Sequence, residues 1–488
     1  MLSIGFSSHT LALAALVGVA AIAPRARGQT LAADSALAAR VGAARARDGA
    51  SDSTGARGLV DARALEARID ELDQQIRILR RLRELDAESA AAKAKETPAL
   101  VAGREGFSLE SPDRAFQLRF RGYVQSDGRF VSQDASVPFA NSFVMRRVRP
   151  VLEGTLYRNV GFRVMPDFGD GRSTLFDAHI DIHFHPAVAL RAGKFKPPVG
   201  LERLQSATDL LFAERGMPTN LVPTRDVGVQ LSGDIAGGAL AYQAGVFNGA
   251  TDLGNGDSDN GNGKDADARI FVQPFRAAGP GALRGLGIGI AGTHGVQRGT
   301  AASPFLPTYR SPAQQTVFAY RADPAAMATL AAGTHTRLSP QGFLYAGPVG
   351  VLGEYVLSTQ RVRRDTSVAR LANRAWQLAA SIVLTGERPG FRGVTPRRPF
   401  DPASHGWGAL ELGARVGRLT IDRDAFPRFA DPDRSVRRAS ELGVALNWYL
   451  ARGIRLQTDY EYTAFRGGAT GGDRPSEHAV ITRLQLAF

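Results

Sequence analysis

The chain has 488 residues and a formal charge of +13, from 60 lysines and arginines against 47 aspartates and glutamates. It contains no cysteine, which excludes a disulfide scaffold, a zinc–thiolate site and a thiol nucleophile. Beyond the N-terminus the sequence has no apolar run of about 18 residues, which excludes a protein built from membrane-spanning helices. The positive charge indicates anionic partners, namely small anions, lipid head groups or nucleic acid.

The first 28 residues have the pattern of a secretory signal peptide. Residues 11–23 form a short apolar run, long enough for the core of such a peptide and too short to span a membrane. Small residues at Ala26 and Gly28 predict cleavage before Gln29, and Ala21–Ala23 is a competing site. No basic residue precedes the run, so a buried N-terminal helix is the alternative.

Two segments with different patterns follow the predicted signal. Residues 29–58 are rich in Ala, Arg, Asp, Gly and Ser without periodicity, which predicts a flexible basic segment. Residues 59–98 are predicted to form a helical coiled coil and a linker that ends near Pro98, with a single amphipathic helix as the alternative. The predicted seam repeats every three or four residues and consists of Ala62, Leu65, Ile69, Leu72, Ile76 and Leu79.

From residue 104 to Phe488 the apolar pattern has a period of two, which indicates β-strands. In the first strand one face is free of charge, and the other carries Arg119, Arg121, Asp127 and Arg129. A tilted strand of about ten residues crosses a bilayer, so this stretch is long enough. A transmembrane barrel, whose strands alternate between lipid and an aqueous lumen, explains why the polar face carries so many charges.

The same alternation recurs over 144–156, 176–185, 440–450 and 454–465. It places Val144, Val148, Phe176 and Ala178 on apolar faces. The strand count is about sixteen, so the predicted fold is an all-β transmembrane, 16-stranded antiparallel β-barrel with an N-terminal α-helical coiled coil. The charged connection at 194–226 is predicted to fold into the lumen and narrow it.

Basic side chains on the lumen faces are the candidate functional residues. Arginine stays protonated, and its planar fork matches phosphate, sulfate and carboxylate oxygens. Ion pairing of these arginines with lumen carboxylates is the alternative. The predicted anion path consists of Arg119, Arg121, Arg129, Arg147, Arg149, Arg163, Lys194 and Lys196.

Other motifs in the sequence carry weaker signals. Gly287–Gly292 matches a dinucleotide fingerprint, but no helical pattern follows it. His179, His183 and His185 share a strand face with Asp177 and Asp181, and alternate residues of one strand rarely surround a metal ion. The Asp/Asn-rich stretch 255–265 lacks the spacing of a calcium loop. We therefore predict no enzyme activity, no cofactor and no metal site.

The barrel sequence resembles the phosphate-selective porin O and P family over residues 116–488. The resemblance implies a trimeric 16-stranded porin with a periplasmic coiled coil and inward loops that carry basic residues. It also implies that the last nine residues are the strand recognised by the barrel-assembly machinery. The matching segments are Arg121–Phe130, Arg146–Gly154, Gly193–Glu202, Val246–Gly249, Gly353–Tyr355 and Leu384–Glu387.

Together these features predict a passive outer-membrane channel for anions, with phosphate or related oxyanions as its substrates. The expected partners are small inorganic anions, outer-membrane lipid, the barrel-assembly machinery and two further copies of the chain, and no nucleic acid. One alternative is a weakly selective barrel that anchors the envelope, with a coiled coil that binds cell wall or a periplasmic partner. Another is a barrel enzyme such as an outer-membrane lipase, which would need catalytic residues at a loop mouth.

Overall fold

A computed structural model describes residues 57–103, 106–132, 141–257, 261–322 and 327–488. The predicted signal peptide and nearly all of the predicted flexible segment lie outside these residues. The described part begins with helix α1 (Arg57–Glu96), which starts two residues before the predicted helical region and ends two residues before Pro98. Its Leu65, Ile69, Leu72 and Ile76 side chains are exposed along one face. No described helix has both the length and the apolar character needed to cross a membrane.

Sixteen antiparallel strands close into a barrel, which confirms the predicted fold class. The last strand pairs with the first over Tyr123–Ser132, so no edge of the sheet stays open. The backbone of Phe488 exchanges two hydrogen bonds with Gly122 and completes the seam. The sixteen strands are β3 (Gln117–Ser132), β4 (Ser142–Leu156), β5 (Val160–Asp167), β6 (Thr174–His185), β7 (Val188–Phe195), β8 (Asp226–Ile235), β9 (Leu240–Phe247), β10 (Asp265–Val272), β11 (Leu286–Arg298), β14 (Leu330–Ala346), β15 (Val349–Arg364), β16 (Ser367–Val383), β17 (Ala409–Thr420), β18 (Val436–Tyr449), β19 (Ile454–Ala469) and β21 (Glu477–Ala487).

Five short strands and one short helix lie outside the barrel wall. They are β1 (Ala99–Gly103), β2 (Gly106–Glu110), α2 (Leu201–Leu204), β12 (Thr308–Arg310), β13 (Thr316–Ala319) and β20 (Gly472–Asp473). The β1–β2 hairpin extends the sheet beside the start of β3. The barrel end that holds this hairpin and Phe488 is called the turn end here, and the opposite end, reached by the 196–225 connection, is called the loop end.

Side chains alternate between the lumen and the outer face as predicted. On β3, Leu118 and Phe120 are exposed on the outer face, whereas Gln125 and Asp127 are completely buried inside the barrel. The segments 440–450 and 454–465 follow the same rule in β18 and β19. The period-two pattern therefore identified most lumen-facing residues correctly.

Two β-bulges make the predicted facing wrong at two positions. Between β3 and β4 the register shifts so that Gln125 pairs with Arg147 and Ser126 pairs with Met145. Because the bulge adds one residue, Val144 lies on the lumen side and Met145 faces outward. A second register shift, between β5 and β6, turns Phe176 away from the outer face. Its ring packs against Tyr123 and Met165 inside the barrel.

Residues 196–225, called the inward segment here, fold into the lumen, as the sequence predicted. Val199, Leu201, Met217 and Leu221 are at most 1 % exposed. Part of this segment joins an apolar cluster inside the barrel, which includes Val356 of β15 and residues of the 305–322 and 421–435 connections. This cluster fills one side of the lumen.

Candidate functional site

Side chains of the barrel wall bind the backbone carbonyls of the inward segment. Arg455 donates to the carbonyl of Leu210 at 2.8 Å, and Gln457 donates to that of Leu211 at 2.7 Å. Arg415 donates to the carbonyl of Glu214 at 2.9 Å. Arg415 belongs to β17, and Arg455 and Gln457 belong to β19. Both strands lie across the lumen from β7 and β8, to which the two ends of the inward segment are joined. The inward segment is therefore fixed across the barrel.

Backbone amides of the same segment donate to carboxylates of the wall. The amide of Leu201 donates to Glu354 of β15 at 2.6 Å, and that of Ala213 donates to Asp459 of β19 at 2.5 Å. The amide of Met217 donates to Glu441 of β18 at 3.2 Å. A buried carboxylate is costly unless donors satisfy it, so these contacts hold the segment against this wall.

The carboxylate wall is defined here as Glu354, Glu441, Asp459 and Glu461. All four are at most 5 % exposed. Arg415 binds Glu461 at 2.6 Å and lies 3.7 Å from Glu441. Within the described residues neither Glu354 nor Asp459 has a basic partner within ion-pair distance. The segment therefore covers a cluster of four acidic side chains.

On the other side of the inward segment lies a cavity of about 630 Å³. The basic side chains that line it outnumber the acidic ones by ten to five. The basic ones are Arg146, Arg147, Arg149, Arg163, Arg172, Lys196, Arg203, Arg215, Arg225 and Arg310; the acidic ones are Asp167, Asp170, Asp177, Glu214 and Asp252. The cavity is accordingly positive, while the lumen carboxylates of β15, β18 and β19 lie behind the segment.

Three cations of the inward segment, Lys196, Arg203 and Arg215, are called the unpaired trio here. Within the described chain none of them lies within ion-pair distance of a carboxylate. Their hydrogen bonds go to backbone carbonyls: Lys196 to Gln205 at 2.9 Å, Arg203 to Thr219 at 2.8 Å and Arg215 to Gln205 at 2.8 Å. The Nε of Arg203 is buried and has no hydrogen-bond partner among the described residues. Their charge is therefore not offset by an ion pair within the described residues.

Other cavity arginines are paired with acids. Arg149 binds Asp167 at 2.7 Å and lies 4.0 Å from the centre of the Phe176 ring. Arg225 binds Asp177 at 2.5 Å, and Arg163 binds the same carboxylate at 3.2 Å. Each arginine has more donors than one carboxylate can accept, so it can still bind a passing anion.

The predicted anion path is only partly assembled at the cavity. Four of its eight members line the cavity, namely Arg147, Arg149, Arg163 and Lys196. The remaining four do not. Arg121 binds Glu153 at 3.0 Å toward the turn end, and Arg119 lies beside the same glutamate. Arg129 lies 3.5 Å from Glu214. Lys194 contacts Asp257 of the 248–264 connection.

Sequence reasoning missed several cavity residues. Arg146 faces the cavity because the bulge in β4 directs two consecutive residues inward. A period-two pattern cannot reveal this position. Arg203 and Arg215 belong to the charged connection at 194–226 that the sequence predicted to fold inward. Only the path of the backbone shows that both face the cavity. Arg225 lies just before β8 and Arg310 ends the short strand β12, and no alternating pattern in the sequence predicted either position.

Several groups of the inward segment have shifted pKa values, among them Lys196 and Glu214. Burial, together with the neighbouring Arg225 and Arg215 guanidinium groups, lowers the pKa of Lys196 well below its usual range. Burial would raise the pKa of Glu214, but Arg146 and Arg147 outweigh it and hold that pKa well below the usual range. Glu214 therefore stays ionised, and the charge of Lys196 responds to pH.

A closed barrel with charged lumen faces, apolar outer faces and an inward segment defines a membrane channel of the porin type. The chain belongs to the phosphate-selective porin O and P family, whose model matches residues 116–488. This finding confirms the resemblance seen in the sequence. No curated protein gives a significant match.

Solved structures with the same general architecture are only 10 or 11 % identical to this chain. The outer-membrane channel DcaP of Acinetobacter baumannii has a TM-score of 0.49, and the match covers 80 % of this chain and 100 % of DcaP. The anion-selective porin of Comamonas acidovorans has a TM-score of 0.48, and the match covers 76 % of this chain and 100 % of the porin. OmpT of Vibrio cholerae has a TM-score of 0.47, and the match covers 77 % of this chain and 98 % of OmpT.

The lowered pKa of Lys196 predicts how selectivity changes with pH. A group with a lowered pKa loses its proton at a lower pH than a free lysine. Arginine side chains do not lose their proton in proteins, so the neighbouring Arg203, Arg215 and Arg225 stay charged. Anion preference, measured as the reversal potential in a salt gradient, should therefore decline as the pH rises, and at a pH lower than that at which a free lysine titrates. Lys196→Arg should remove this decline and keep the preference high; an unchanged pH profile in Lys196→Arg would contradict the assignment.

Proposed function

We propose that the protein is a passive outer-membrane channel that prefers anions, with phosphate and related oxyanions as its substrates. The observation that carries the proposal is the separation of charge by the inward segment. Its amides face the carboxylate wall, and its cations face the open cavity. An ion that passes through the cavity therefore meets an excess of positive groups.

The arrangement suits conduction as well as binding. The unpaired trio attracts the anion into the cavity, and the low-dielectric wall around the cavity strengthens this field. Towards the turn end, arginines alternate with acids in the order Arg225, Asp177, Arg163, Glu153 and Arg121. Because each of these arginines shares its charge with an acid, the anion is held weakly enough to move on, as conduction requires.

Removing the unpaired trio's arginines tests the proposed function. Arg203→Gln together with Arg215→Gln should shift the reversal potential by tens of millivolts toward cations and weaken the block of chloride current by phosphate. Arg276→Gln with Arg284→Gln, two exposed arginines of the turn between β10 and β11, is the matched control and should behave as wild type. A wild-type channel that prefers cations, or equal shifts in both double variants, would refute the proposal.

Uncovering the carboxylate wall tests the charge separation itself. Replacing residues 205–214 with a short Gly–Ser linker should raise conductance and abolish or reverse anion preference, because Glu441, Asp459 and Glu461 would then face the pore. The same replacement combined with Glu441→Gln, Asp459→Asn and Glu461→Gln should be equally conductive and anion-preferring again. If the two replacement channels have the same ion selectivity, the carboxylate wall does not determine the selectivity of the pore.

We also propose that the channel is a homotrimer whose α1 helices form a coiled coil. The support is the exposed apolar seam of α1, where Leu65, Ile69, Leu72, Ile76 and Leu79 are between 45 and 65 % exposed. A stripe of this kind at heptad spacing is stable when other helices cover it. The isolated helix gains little from such a seam, so the barrel would hold the three chains together.

Single cysteines test the coiled coil, since the chain has none of its own. Leu72→Cys in the seam should form disulfide-linked dimers of the chain in high yield under mild oxidation. Gln74→Cys, on the opposite side of the helix, should remain reduced. Cross-linking of both variants to the same extent, measured by non-reducing electrophoresis, would contradict a defined seam.

A further inference from the structure

The outer face of β15 to β19 carries arginines near the loop end of the barrel. All of them are exposed on the side that faces away from the lumen. This set is called the arginine belt here and consists of Arg361, Arg363, Arg370, Arg374, Arg418, Arg438 and Arg466. These positions take no part in the channel proposed above, because the lumen lies on the other side of each strand.

Members of the belt lie directly beside one another in the sheet. Arg361 is the cross-strand partner of Arg370, and Arg438 is the partner of Arg466. Arg374 is aligned with Arg438 through a single intervening residue, Thr420. Like charges directly opposite each other destabilise a sheet. The arrangement therefore favours a bound anion that lies between the guanidinium groups.

The protein supplies little negative charge to this face. Among the described residues, only Arg466 of the belt forms an ion pair, with Asp473 at 2.8 Å. Arg418 donates to the hydroxyl of Ser440 at 3.2 Å. The outward-facing positions of these strands, from the belt to the middle of the barrel, include no aspartate or glutamate. Within the part of the chain that the structure describes, the other six belt arginines therefore have no acidic partner.

An apolar band adjoins the belt on the side of the turn end. On β16 it contains Trp376 and Leu378, and on β18 it contains Leu442, Val444 and Leu446, all between 38 and 49 % exposed. Apolar side chains on the outer face of a barrel contact hydrocarbon chains. A partner that fits both features has an anionic head at the belt and acyl chains along the band.

We propose that the arginine belt binds the phosphorylated sugar head group of a lipid in the outer leaflet of the membrane. In barrels of this type the longer connections face the outside, which places the loop end in that leaflet. Neighbouring strands are about 4.8 Å apart, so two belt arginines on adjacent strands can both reach one phosphate. A second copy of the chain that used the same face would present the same positive charge and be repelled.

Binding of defined lipids to the purified full-length channel tests the proposal. The lipids are diphosphoryl lipid A, monophosphoryl lipid A and phosphatidylcholine, each titrated in detergent and counted by native mass spectrometry. The belt variant combines Arg361→Gln, Arg370→Gln, Arg374→Gln and Arg438→Gln. The control variant removes four exposed arginines at the turn end by Arg114→Gln, Arg276→Gln, Arg284→Gln and Arg398→Gln.

We expect the wild type and the control variant to bind diphosphoryl lipid A more tightly than the monophosphoryl form, and both more tightly than phosphatidylcholine. The belt variant should bind diphosphoryl lipid A about tenfold or more weakly, because each removed arginine contacts a negatively charged surface. Its reversal potential should stay within the wild-type range, which separates this proposal from the one on the channel.

Three outcomes would overturn the proposal. Equal weakening in the belt and control variants would show a general effect of charge. Complete displacement of the lipid by millimolar inorganic phosphate would make the belt a site for free anions. A belt variant that binds lipid normally but changes its oligomeric mass would make the belt an interface between copies of the chain.

Discussion

The contact between the inward segment and the carboxylate wall is the interaction on which the rest of the structure depends. Glu354 and Asp459 lie inside the barrel without a basic partner in the described chain, and backbone amides of Leu201 and Ala213 satisfy them. Leaving these carboxylates unsatisfied would be costly, so the segment is held on their side of the lumen. The open space and the cationic side chains are thereby left on the other side.

This arrangement explains how a lumen with many acids can still be positive along the ion path. Counting charges on strand faces would give a nearly balanced wall, since acids such as Glu441 and Glu461 alternate with arginines. What matters is which charges contact the water-filled space. The segment buries the carboxylate wall and adds its own unpaired trio to the cavity, so the balance on the path differs from the balance in the whole lumen.

The sequence predicted the barrel well because alternation is a local property of each strand. Arg147 and Arg149 were placed correctly in this way, and so was the inward path of residues 196–225, from its length and charge. The sequence could not predict the bulges that turn Val144 and Phe176 inward, since an extra residue leaves no trace in composition. It also could not show that Arg203 and Arg215 face the cavity, because that depends on contacts with distant strands.

The positions of bound anions in the lumen distinguish a positive cavity from a balanced lumen. Crystals soaked in bromide and measured at its absorption edge would reveal bound halide by anomalous scattering. We expect bromide peaks in the cavity beside Lys196, Arg203 and Arg215, and none beside Glu354 or Asp459. Bromide distributed over both sides of the inward segment, or rubidium ions found in the cavity in a parallel soak, would contradict it.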